Sequence, residues 1–236
     1  MSRNDCQPMI RLLLINPNTN VATTAMMAAI ASDALAGLGD PAGENVVVEG
    51  FTVTRGVPLI TDERALNEAG TAVCDAIAAA DLSGHHGIII AAFGDPGLAK
   101  SRKLTALPVT GIAEAAMAEA PGRFAVVTTT PALVASITLT ADCYGHTDRF
   151  AGVYLTPGEP ATLMNSPEAL FDAMLAACRR AMEIARPDSI VIGGGPLAQI
   201  ARELRPLITI PVIEPIPAAV RLARSRAGAL PHHMAR

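Results

Sequence analysis

The two halves of the chain repeat one another, and this repetition limits the possible fold more than any local propensity does. The segment Gly87-Ile88-Ile89-Ile90-Ala91-Ala92-Phe93-Gly94-Asp95-Pro96-Gly97-Leu98-Ala99 is echoed by Ser189-Ile190-Val191-Ile192-Gly193-Gly194-Gly195-Pro196-Leu197-Ala198. In each, a buried apolar strand ends in a turn of small residues and enters a helix through proline. Downstream, Leu107-Pro108-Val109-Thr110-Gly111-Ile112-Ala113-Glu114 parallels Ile210-Pro211-Val212-Ile213-Glu214-Pro215-Ile216-Pro217. Upstream, Arg11-Leu12-Leu13-Leu14-Ile15-Asn16 matches Arg123-Phe124-Ala125-Val126-Val127-Thr128. Two similar lobes about a pseudo-two-fold axis are expected.

Short β-branched runs bounded by turn residues alternate with Ala-rich stretches of helical length, the pattern of parallel sheets covered by helices. Strands are expected near 11–15, 46–51, 87–92, 108–110, 123–127, 151–155, 189–193 and 210–213. Helices are expected near 19–37, 63–81, 96–104, 111–120, 131–143, 166–185, 196–204 and 217–226. The fold class is therefore α/β, with a four-stranded parallel sheet in each lobe. Lobe 1 is expected over 1–114, with a C-terminal helix at about 214–230 crossing back to it, and lobe 2 over 115–213.

Composition narrows the partners. Of 236 residues, 50% are hydrophobic and 17% charged, so the chain can bury a sizeable core. Its 18 Lys and Arg against 22 Asp and Glu, with no Trp, argue against a nucleic-acid surface, which needs a basic footprint and stacking platforms. No apolar stretch approaches the roughly 18 residues of a membrane span. The N-terminus lacks an export pattern, and a cytoplasmic location with reduced thiols is expected. Cys6, Cys74, Cys143 and Cys178 show neither C-x-x-C spacing nor a local Cys/His cluster, so no metal site is expected. His232-His233 resembles a metal site by composition only.

Ligands of open α/β sheets bind beyond the carboxyl ends of the strands. Two facing lobes put the site in the cleft between them, lined by the turns at Asn16-Pro17-Asn18-Thr19, Ala92-Phe93-Gly94-Asp95, Thr128-Thr129-Thr130 and Gly193-Gly194-Gly195. Helix N-termini at such turns favour a carboxylate or another anion.

Several of these segments, in order along the chain, resemble the aspartate/glutamate/hydantoin racemase superfamily, and within it the hydantoin and allantoin racemase branch. They are Ile15-Asn16-Pro17-Asn18-Thr19, Gly56-Val57-Pro58 with Asp62-Glu63, Phe93-Gly94-Asp95-Pro96-Gly97-Leu98, Gly111-Ile112-Ala113-Glu114-Ala115-Ala116-Met117 and Val126-Val127-Thr128-Thr129. The resemblance implies cofactor-independent proton transfer by two cysteine thiols on opposite faces of a planar intermediate. The chain departs from that pattern at both thiol positions, which hold Ala92 and Gly194. Small residues there are expected to leave extra room.

With the thiols gone, Asp95 and Glu214 are the candidate catalytic carboxylates. The competing roles are an N-cap before Pro96 for Asp95 and a cap before Pro215 for Glu214. Glu114, one turn into its helix, is expected to interact with that helix's N-terminus. Asn16, Asn18, Thr19, Phe93, Thr128, Thr129, Thr130, Gly194 and Gly195 are the candidate substrate-binding residues, with turn capping as the competing role for the polar ones. Phe51 is a further candidate wall. The expected ligand is a small carboxylate or cyclic ureide and the expected assembly a homo-oligomer. Three readings stay open: an isomerase- or lyase-type enzyme with non-thiol chemistry, a small-molecule binding protein without turnover, and a racemase of amino-acid derivatives using other acid and base groups.

Overall fold

The computed structural model describes residues 9–36 and 46–229; Cys6 and His232-His233 lie outside the described residues. The first half runs β1 (Ile10–Asn16), α1 (Val21–Ala36), β2 (Val46–Thr52), α2 (Glu63–Ala79), β3 (Gly87–Ile90), α3 (Leu98–Leu104) and β4 (Val109–Gly111). α4 (Ile112–Glu119) leads into β5 (Phe124–Thr128), α5 (Val134–Cys143), β6 (Phe150–Leu155), α6 (Pro160–Met164), α7 (Pro167–Ala185), β7 (Ser189–Ile192), α8 (Ala198–Leu204), β8 (Val212–Ile213) and α9 (Pro215–Gly228). The strands form two four-stranded sheets, ordered β2-β1-β3-β4 and β6-β5-β7-β8, and every pairing is parallel. Strand for strand the second order repeats the first, so the sequence echoes at β1/β5, β3/β7 and β4/β8 fall on equivalent positions.

The central strands are apolar on both faces because both faces are covered. Leu12 and Leu14 point into a core shared by the two halves, which includes Ile89, Ala116, Met117, Phe124, Val126, Val191 and Ile216. Leu13 and Ile15 point the other way, into a cluster with Val73, Ile77, Ile88 and Ile90 under α2. Ala125, Val127, Ile190 and Ile192 do the same in the second half, packing on Met174, Ala177 and Cys178 of α7. Each fully buried Leu, Ile or Phe contributes about 1.5–3 kcal/mol. α9 packs on α4, α1, β3, β1 and β4, returning the C-terminal segment to the first half.

Local signals explain the helix starts. Asp62 caps α2 through the amide of Ala65 at 2.8 Å, and Ser166 precedes Pro167 at the first turn of α7. α3 begins two residues later than the proline suggests. Asp95 (φ 50°) and Gly97 (φ 78°) carry the chain through a left-handed turn that helix geometry cannot include. α6 lies in a stretch from which the sequence alone suggested no element.

The halves meet closely at the third glycine of the 193–195 run. A Cβ on Gly195 would stand 2.7 Å from the carbonyl oxygen of Ala91 and 2.8 Å from Sδ of Met27, both in the first half. Gly195→Ala should therefore force backbone apart and cost about 1–3 kcal/mol, as overpacking does. Thermal unfolding of the two proteins side by side should show a drop of several degrees, roughly 2–4 °C per kcal/mol for a chain of this size.

Candidate active site

The carboxyl ends of the inner strands of both sheets converge on one small cavity of ≈ 50 Å³. Asn18, Ala91, Ala92 and Phe93 line it from the first half, and Thr128, Thr129, Thr130, Gly193, Gly194 and Gly195 from the second. Leu59, Ile60, Leu133, Met164 and Leu197 complete an apolar wall. The space holds roughly three to five waters.

Asn16 does not reach the cavity. It is fully buried, its amide nitrogen shared among Asn18 Oδ1 (3.0 Å), the carbonyl of Asn20 (3.1 Å) and Thr24 Oγ1 (2.9 Å), while its Oδ1 accepts from the Asn18 amide (3.2 Å). Asn16 thus positions Asn18, whose Oδ1 also accepts from the Asn20 amide at 2.9 Å. The Nδ2 of Asn18 has no hydrogen-bond partner among the described residues and is a free donor at the cavity wall. In the second half Thr128 spends its hydroxyl on the Gly193 carbonyl (2.8 Å), whereas Thr129 and Thr130 meet only each other, at 3.4 Å. Thr19 is not among the lining residues, its amide bonding to the Val57 carbonyl at 3.1 Å. Phe51, also expected at the cleft, borders a separate groove with Val53, Arg55 and Asp75, because β2 is an edge strand of its sheet.

The two alanine and glycine positions differ from the expectation of extra room. Ala92 lines the cavity, but the space beside Gly194 is filled: a Cβ there would lie 3.0 Å from Cδ1 and 3.1 Å from Cγ of Leu197. Leu197 is itself buried and belongs to the core under α7. A side chain at position 194 would therefore press on Leu197.

Neither candidate carboxylate faces this cavity. Asp95 is buried and accepts three hydrogen bonds, from the amides of Ala113 (2.8 Å) and Glu114 (2.7 Å) and from the Tyr144 hydroxyl (2.8 Å). It caps α4, eighteen residues on, instead of the helix that follows it. Gly111 makes the approach feasible, since a Cβ there would sit 2.1 Å from the carboxyl carbon of Asp95. Burial pushes the Asp95 carboxyl up from 3.8 to about 7 against the pull of its donors. Glu214 precedes α9 and lies in a surface groove on another face, 3.6 Å from Arg205 Nη1 and 4.0 Å from Arg202 Nε, with Asp33 and Glu119 nearby. Both lie off the cavity for the same reason: each turns toward a helix start or a cation that solvates its charge better than an apolar wall would.

Glu114 follows the Asp95 contact into a charged cluster. It accepts from Arg102 and Arg226 at 2.8–2.9 Å, and from the Gly111 amide at 3.4 Å. Burial raises its pKa, yet the two guanidiniums outweigh that and hold it at about 2. Tyr144 and His146 are similarly structural. Tyr144 serves Asp95, and His146 Nδ1 lies 3.0 Å from Arg149, which donates to the carbonyls of Met117, Ala120 and Gly122 at the far end of α4. Among the described residues no cluster of three or more His, Cys, Asp or Glu could hold a metal ion, and no helix is long and apolar enough to cross a membrane.

A model of the Asp/Glu/hydantoin racemase family matches residues 12–223. The chain belongs to that family. It is 28% identical over 222 residues to hydantoin racemase of Paenarthrobacter aurescens, covering 92% of this chain and 90% of the relative. The structure of allantoin racemase from Klebsiella pneumoniae is similar with a TM-score of 0.81 and 31% identity, over 92% of this chain and 86% of that one. Allantoin racemase from Pseudomonas fluorescens gives a TM-score of 0.83 at 25% identity, over 94% and 97%. The cavity of this chain is walled by uncharged side chains.

Asp95, which is buried, and Glu114, which is half-buried, should give opposite pH signatures. For Asp95, stability is fully present below about pH 4 and declines as pH rises to about 7, because the unfolded chain releases its proton first. For Glu114, stability is present above about 4.5 and lost as pH falls toward 2. Urea unfolding across this range should show the advantage of the wild-type chain over Asp95→Asn shrinking from pH 4 to 7, and its advantage over Glu114→Gln shrinking from pH 5 to 2.

Proposed function

We propose that this family member binds a small uncharged cyclic ureide between its lobes and does not transfer the ligand's α-proton. One observation carries the reading: among the described residues, no side chain lining the cavity ionises. General acid–base catalysis needs a group of suitable pKa within about 2.6–3.2 Å of the proton it moves. Alanine, glycine, leucine and threonine cannot serve as such groups near neutral pH. A bare carboxylate ligand would find no cation on these walls, whereas a ureide carries alternating N–H donors and carbonyl acceptors. Asn18 Nδ2 can meet a carbonyl, and the hydroxyls of Thr129 and Thr130 can meet either kind of group. The apolar residues Leu59, Ile60, Leu133 and Met164 suit the ring faces and a hydrocarbon substituent.

The similarity to hydantoin and allantoin racemases supports the ureide class. The loss of turnover follows from Ala92 and Gly194. Removing one acid–base partner commonly costs about 10² to 10⁴ in rate, and here both places hold non-ionising groups.

Titration calorimetry with 5-methylhydantoin and allantoin should show saturable binding, with succinate silent. Proton NMR in deuterium oxide should show exchange at the ring α-carbon no faster than in buffer. Exchange at the rate of a two-thiol racemase would overturn the non-catalytic reading, and binding of succinate alone would overturn the ureide.

A further inference from the structure

Asn18 is only 3% exposed and lines the inter-lobe cavity. Its Nδ2 has no hydrogen-bond partner among the described residues, where the unpaired side-chain atoms shut off from solvent are Nδ1 of His85 and Oγ1 of Thr156. Asn18 Nδ2 therefore keeps an open side, and the space that Asn18 borders is the cavity.

An amide can present either end to a ligand, but this one is held one way round. The backbone N–H of Asn20, which can only donate, meets the inner atom at 2.9 Å, so that atom is the carbonyl oxygen Oδ1. Asn16 brings a second donor to the same oxygen, its Nδ2 at 3.0 Å. The backbone fixes Asn16 in turn: its Nδ2 donates to the carbonyl of Asn20 at 3.1 Å, which can only accept, and its Oδ1 takes the Asn18 N–H at 3.2 Å. Turning the Asn18 amide over would set an NH2 group against two donors in a buried place, where mismatched polar groups are most costly. The wall thus offers a fixed donor at this point and no acceptor.

We infer that Asn18 is a specificity-determining residue of the inter-lobe site, taking a ring carbonyl of the ligand and turning away the cyclic guanidinium of similar ring shape, with Asn16 as the residue that positions it. The inference rests on the ureide reading above and narrows it to rings that present a carbonyl oxygen to the first lobe. In a cyclic guanidinium every polar group on the guanidine unit donates, so N–H would face N–H beside the apolar walls of Leu59, Ile60 and Leu133. Sites built on a buried hydrogen-bonding group reject analogues that cannot answer it.

Calorimetry on the intact chain with 5-methylhydantoin and with 2-aminoimidazoline, a cyclic guanidinium at neutral pH, tests the assignment. Wild type should prefer 5-methylhydantoin by at least about tenfold, the worth of one hydrogen bond. Asn18→Asp keeps the oxygen that Asn16 and Asn20 hold and replaces the outer NH2 by an acceptor, so its order of preference should reverse. Asn16→Ala leaves Asn18 in place, removes one of the two donors holding its oxygen, and should shrink the wild-type preference several-fold. Thermal unfolding of each chain reports any loss of fold, which would weaken both ligands together and cannot reverse their order. A wild-type chain that binds both ligands equally, or an Asn18→Asp chain that keeps the wild-type order, overturns the role of Asn18. An unchanged preference in Asn16→Ala overturns the positioning role of Asn16. If wild type binds no 5-methylhydantoin, the ureide reading fails, and the assignment of Asn18 fails with it.

Discussion

The burial of Asp95 against the start of α4 organises the rest of the molecule. α4 is packed into the core shared by the two halves through Ile112, Ala113, Ala115, Ala116 and Met117, and its end amides and carbonyls need partners. One carboxylate from the β3 turn satisfies two amides at its first turn, and one guanidinium, Arg149, satisfies carbonyls at its last. Tyr144 ties the same carboxylate to the end of α5, and Arg226 of α9 reaches Glu114 one turn along. Elements from both halves and the C-terminal helix are thereby referenced to a single helix. The left-handed backbone at Asp95 and the absent side chain at Gly111 are the local costs of that arrangement.

The cavity inherits its position from this framework. Ala91, Ala92 and Phe93 come just before the Asp95 turn, and Gly195 sits against the Ala91 carbonyl, so the two halves of the site are registered by backbone contact. Contact this close excludes a side chain at Gly195, whereas Gly193 is crowded by Val126 and Thr128 of its own lobe. The space next to Gly194 is bounded by Leu197, which belongs to the hydrophobic core of the second lobe and gives that wall an apolar side chain.

Much of this architecture was legible in the residue order. Repeated strand–turn–proline segments implied two lobes of one design, and the strand orders β2-β1-β3-β4 and β6-β5-β7-β8 carry that design through. The cleft-lining turns were found from the rule that ligands sit beyond strand carboxyl ends, and Asn18, Phe93, Thr128, Thr129, Thr130, Gly194 and Gly195 do line the cavity. The strand-end position of Asn16 looks the same in sequence whether its amide faces a ligand or, as in this structure, bonds within its own turn.

Periodicity and turn chemistry are local properties, so the sequence by itself determined the strands, most helix starts, the two-lobe plan and the absence of thiols at residues 92 and 194. The partners of charged and polar side chains are not local. Asp95 looks like the cap of the helix it precedes, yet it serves one eighteen residues away, and Glu214 turns to arginines on α8 and in the segment that follows it instead of to the cleft. Only the packing of distant segments decides which buried amide or cation lies within 3 Å of a carboxylate. Because leaving such a group unpaired costs more than bending a turn to reach it, the tertiary structure assigned these side chains to the framework and left the cavity uncharged.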